Sequence, residues 1–190
     1  MMQWGAKLRD DLNIDAQSSN KLATTINAEI TSLSNESKRL IVASSPVSLK
    51  SRLDEVRAFQ QWMDYANKIR NNPNVVRAQV VTEIYICFVY LNESWFKVLR
   101  QKMDSQTTTK KCCKFLTDNP VRAFRNAIAH ANWQYNSDCS GLEYWAKKGN
   151  DENEELLRFE VSDLELGFWQ ALSRCVAYAS FLGLAQKNLM

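Results

Sequence analysis

Arg122, Arg125, Asn126 and His130 lie in one short stretch, Pro120-Val121-Arg122-Ala123-Phe124-Arg125-Asn126-Ala127-Ile128-Ala129-His130, and this histidine is the only one in the chain. On a helix, Arg122, Asn126 and His130 stand at i, i+4 and i+8 and share one face, with Arg125 beside it. That face presents a cation, an amide and an imidazole. Imidazole exchanges a proton near neutral pH. A guanidinium offers planar, paired donors to phosphate oxygens. The chemistry this set suits is metal-free cleavage of an RNA phosphodiester. A base takes the 2′-hydroxyl proton, the 2′-oxygen attacks phosphorus, and the guanidinium takes the charge that builds there. The leaving 5′-oxygen also needs a proton. With one imidazole per chain, a second subunit is the natural source of another His or Arg, so the chemistry implies a homodimer.

The sole histidine also excludes sites. One subunit cannot supply an HExxH helix, a three-His zinc centre or a pair of imidazoles. The five cysteines include the adjacent Cys112 and Cys113 and no CxxC spacing, so packing thiols in a reducing compartment are expected rather than disulfides or zinc. Neither a cofactor nor a metal is implied. The 190 residues carry 24 Lys plus Arg against 21 Asp plus Glu, a net charge of +3 that nucleic acid would tolerate without being demanded. The charge is uneven. Residues 110–130 hold Lys110, Lys111, Lys114, Arg122 and Arg125 against Asp118, while residues 151–165 are strongly acidic. The N-terminus lacks the apolar run of a signal peptide, and the most apolar stretch, Ile84 to Leu91, is too short to span a membrane. A cytoplasmic protein with no membrane association is expected.

The elements that must position the motif read as helices. Scarce Gly (5) and Pro (3) favour long ones. Apolar spacing predicts helices over 21–43, over 49–69 and over 75–103, the last apolar on all sides in its middle and so the central, most buried one. Ser105 to Thr109 reads as a loop and Lys110 to Leu116 as a short helical turn. Asn119 is placed to cap a helix with Pro120 at its first position, and that helix runs from Val121 to about Tyr135. Leu142 to Ala146 and Leu156 to Val161 alternate and read as a β-hairpin around an acidic connection. Ser162-Asp163-Leu164-Glu165 matches a capping box opening a last helix through Leu182, whose small residues allow close packing. The sum is one mainly all-α domain over 1–190, an antiparallel helical bundle with a hairpin insertion at about 142–161.

The run Arg125-Asn126-Ala127-Ile128-Ala129-His130 resembles the signature of the HEPN superfamily: Arg, a polar residue that is often Asn, and His after a gap of four to six residues. The resemblance implies a HEPN-like helical bundle with the motif on a late helix. It also implies a metal-independent endoribonuclease whose composite site forms across a homodimer, in a toxin–antitoxin or phage-defence setting, with an antitoxin or regulatory protein as a possible partner. Carried over, Arg125 and His130 are the catalytic pair and Asn126 the supporting polar residue. Members paired with a nucleotidyltransferase antitoxin often carry Tyr two residues after the His. Here that residue is Asn132, and Tyr135 is a poor substitute. The alternative within the same fold is a non-catalytic dimeric module that binds RNA or a protein.

Several residues keep two readings. Lys110, Lys111 and Lys114 could join Arg122 in holding RNA phosphates, or form a solvated loop. Trp133 could stack on a base, or pack in the core or a dimer interface. Glu83 and Glu93 could orient His130, or pair with an arginine. Asp151 to Glu155 could mimic phosphate, or be a solvated loop.

Overall fold

The computed structural model describes residues 4–13, 19–45, 48–68, 81–138, 140–147 and 155–185. The chain is mainly helical, with a three-stranded antiparallel sheet just before the last long helix. Helices α1 (Trp4–Leu12), α2 (Ser19–Ser32), α3 (Asn35–Ala43) and α4 (Leu49–Lys68) come first. The one helix expected over 21–43 is thus two. Ser34 takes extended backbone (φ −60°, ψ 152°) and its side chain accepts from the Ser37 N–H, so a local cap overrides the apolar spacing. Helix α1 went unread because it is short and mostly polar. It is held from afar: the buried Glu165 carboxylate accepts from the Gly5 N–H.

Helix α5 covers residues 81–102; the earlier part of the helix expected over 75–103 lies outside the described residues. Two of its stretches, Tyr85–Tyr90 and Asn92–Phe96, are wound as π-helix before α-helix resumes at Lys97–Lys102. Leu91 N–H reaches Ile86 O, five residues back, at 3.2 Å. Ile84, Cys87, Phe88, Leu91, Trp95, Phe96 and Leu99 are buried at the expected spacing, but Tyr85 (53%) and Tyr90 (36%) are exposed. The helix is central yet open along one side, a correction to its all-round burial.

Helix α6 (Thr108–Thr117) is a full helix rather than a turn, capped by the Thr107 side chain on the Lys110 N–H. It leads into α7 (Val121–Ala129), the motif helix. Strands β1 (Trp133–Tyr135), β2 (Gly141–Lys147) and β3 (Leu156–Ser162) follow, and α8 (Asp163–Ala185) closes the chain. The expected hairpin is β2–β3, with Tyr144 opposite Phe159. The third strand, β1, takes residues expected to continue the motif helix and pairs Trp133 with Tyr144. Helix α8 lies along α2 and α4. A Cβ at Gly183 would sit 2.9 Å from Ile30, so glycine sets that close approach. Only half of the expected capping box forms: Ser162 Oγ accepts from the Glu165 N–H, while the Glu165 side chain turns to Gly5 and to Trp169 Nε1. Among the described residues, no helix is long and apolar enough to cross a membrane.

Candidate functional site

Helix α7 sits between the first π-helical stretch of α5 and strand β2. Val121, Ala123, Phe124 and Ala127 face inward and are buried. Phe124 is the anchor. Its ring meets Phe88 of α5 at 5.2 Å, Tyr144 of β2 at 5.0 Å and Trp169 of α8 at 5.7 Å, each edge-on. Three elements therefore fix the roll of the helix. That roll turns Arg122, Arg125 and Asn126 outward, Arg122 exposed and the other two half-buried. The expected shared face of Arg122 and Asn126 is present.

Both ends of α7 differ from expectation. Pro120, not Asn119, is the N-cap, and no side chain caps there. The helix stops at Ala129 instead of reaching Tyr135, because His130 takes φ −108° and ψ 9° and Ala131 turns left-handed at φ 56°. The Ala131 N–H then bonds Ile128 O (3.3 Å) and the Asn132 N–H bonds Ala127 O (2.8 Å). This is a Schellman closure with alanine in the position glycine usually holds. His130 is thus the C-cap, exposed, and about 12 Å along the helix from Arg122 at 1.5 Å per residue. The amides at the start of α7 and the imidazole cannot hold one phosphate together.

The motif therefore divides. At the C-terminal half, Arg125 Nη1 donates to Asn126 Oδ1. Burial draws the Arg125 pKa below its ordinary value, and the group stays a cation. His130, the C-cap four residues past Asn126, is exposed, and its backbone N–H bonds Asn126 O. At the N-terminal half, Arg122 lines a cleft of about 600 Å³ with Lys97, Arg100, Lys110, Gln101, Thr117 and Asp118. It holds four basic side chains against one carboxylate. Asp118 is committed: Arg100 meets it at 2.6 Å and Lys114 at 2.5 Å. Burial pushes its carboxyl up, but the Lys114 and Arg100 bonds outweigh that and hold it below the usual value.

The structure places Lys110 in the cleft with Arg122, while Lys111 and Lys114 stand on the other side of Asp118. These two lysines line a different cavity of about 320 Å³ with Lys7 and Asp11, and Asp118 lines both cavities. Lys97 and Arg100 were missed by sequence reasoning. Their i, i+3 spacing at the end of α5 was the available signal. Trp133 is half-buried against the core and meets Tyr135 edge-on, which is the packing reading. Glu83 pairs with Arg174 of α8, not with His130. The Glu93 side chain and residues 151–154 of the acidic connection lie outside the described residues. Among the described residues, no three His, Cys, Asp or Glu side chains gather closely enough to hold a metal ion.

Compared with known proteins, the chain matches no family model, no curated protein and no solved structure.

Proposed function

We propose that this chain is a metal-independent endoribonuclease of HEPN type, working as a cytoplasmic homodimer in toxin–antitoxin or phage defence. The observation that carries the reading is the Arg125–Asn126–His130 cluster at the exposed end of α7, with a cationic cleft at the other end of the same helix. His130 exchanges the proton of the 2′-hydroxyl or of the leaving oxygen. Arg125, aimed by Asn126, takes the charge of the phosphorane. The cleft of Lys97, Arg100, Lys110 and Arg122 holds the RNA backbone upstream or downstream of the scissile bond. His130 is exposed at the end of α7, which leaves it accessible to a partner's motif helix.

The test is cleavage of structured RNA in EDTA by the wild type beside His130→Ala and Arg125→Ala. Loss of about 10²-fold or more in each variant is expected. Equal cleavage by all three removes the reading. One observation favours a second reading, a module that binds RNA without cutting it: the cleft is cationic but carries no imidazole. Tight, salt-sensitive binding with no turnover would select it.

A further inference from the structure

A second cavity, unconnected with the motif helix, lies between α4 and the first π-helical stretch of α5. It measures about 720 Å³, within the range of small-molecule sites, and its walls are largely apolar: Val56, Phe59, Trp62 and Ile86 are among them. Tyr85, Tyr90 and Leu91 reach the same cavity because the wider π turns bring residues five and six apart onto one side. One charged group lines it from within the fold. Arg52 is only 4% exposed, and its guanidinium lies 4.2 Å from the Tyr90 ring centroid. Among the described residues, its Nε and Nη1 are buried and have no hydrogen-bond partner. Buried guanidinium N–H groups without acceptors are costly, and water does not reach these two.

We infer that this cavity binds a small amphiphilic carboxylic acid, its apolar body against Phe59, Trp62 and Ile86 and its carboxylate on the Arg52 guanidinium. A carboxylate supplies acceptors for the Nε and Nη1 N–H groups, and it matches a guanidinium in geometry and charge. A monoanion fits better than a phosphate. One cation faces the cavity, and Glu55 stands at the rim, its Oε2 accepting from the Tyr90 hydroxyl at 2.6 Å. The head group enters by displacing the Tyr90 ring, which sits at the surface. This inference is independent of the ribonuclease reading.

Calorimetric titration of the full chain with octanoate and with 1-octanol tests it, since the two share a tail and differ in the head. Octanoate is expected to bind at one site at least tenfold more tightly than octanol. Arg52→Met should erase that difference while leaving octanol binding unchanged. Ala58→Trp, an exposed substitution on the cavity wall, should block both and does not touch the core. Absence of octanoate binding, equal affinity for octanoate and octanol, a preference surviving in Arg52→Met, or octanoate binding unaffected by Ala58→Trp would each overturn the inference. If Arg52→Met fails to fold, the wild-type comparison and Ala58→Trp still decide.

Discussion

Ala131 closes the motif helix in a left-handed conformation at φ 56°, where a Cβ is disfavoured. Ala131→Gly relieves that crowding and leaves both closing bonds in place, against some gain in unfolded-chain entropy. A net stabilisation of about 0.5–1 kcal/mol is expected, raising Tm by about 1–4 °C in thermal melts. Because His130 is the adjacent C-cap, its backbone stays where it was, and cleavage should be unchanged. Asn126 poses a sharper question, since its amide oxygen receives Arg125 Nη1. Asn126→Asp keeps that bond but neutralises the cation that the proposed mechanism sets beside the scissile phosphate. It should lower RNA cleavage by about 10²-fold, more than Asn126→Ala does; the reverse order would mean that Arg125 is not the group that meets the phosphorane.

Among the elements, α7 depends on one ring and on one corner. Phe124 bridges α5, β2 and α8, so Phe124→Ala should cost about 3–5 kcal/mol by denaturant titration. The corner between α6 and α7 is clamped by Asp118, which ties Arg100 of α5 to Lys114 of α6. Its pKa is depressed in the folded chain, so it stabilises the fold above the ordinary carboxylate range and that support fades as pH falls through the depressed value. Stability followed from pH 6 down to 2 should show an acid-side loss that Asp118→Asn lessens. Helix α1 is held by the buried Leu8, by Arg9 over the Phe168 ring and by one buried acceptor, Glu165. Glu165→Ala removes the acceptor that the Gly5 N–H and Trp169 Nε1 share, a loss of about 1–3 kcal/mol. Amide exchange over residues 4–12 should quicken more than over α2.

At the scale of the whole molecule, the proposed function gives the two ends of one helix two duties. The cleft's cations should make RNA binding steeply salt-dependent, with log K falling by about 0.7 per log unit of salt for each single-strand phosphate neutralised. Arg122→Gln is expected to lower that slope by about one such step, and Lys111→Gln to change it less, because Lys111 faces the other cavity. Equal effects from the two would mean that RNA follows the lysine face of α6 instead of the cleft. The proposed composite site adds a concentration dependence. Cleavage per chain should fall when the protein is diluted below its dimer dissociation constant, as followed by sedimentation and activity on the same samples.

The candidate residues and the periodicity were legible in the chain itself. One imidazole, a guanidinium five residues before it and an amide between them are visible without coordinates. The amphipathic spacing of α4, the long apolar run of α8 and the β2–β3 alternation survive because local pattern and burial agree there. Tertiary structure decided the rest. Where the motif helix ends depends on Asn132 and Trp133 pairing into a sheet with residues far along the chain, at Trp145 N–H to Asn132 O and Trp133 opposite Tyr144, which no local propensity encodes. Helix α1 is tied to the core by contacts far along the chain, Gly5 to Glu165 and Arg9 to Phe168 among them. The cationic cleft joins side chains from α5, α6 and α7, and Arg52 meets Tyr90 only because α4 packs on π-wound α5. Residue type and spacing act over a few turns of chain, whereas burial, charge grouping and cavities arise between elements that the chain brings together only on folding.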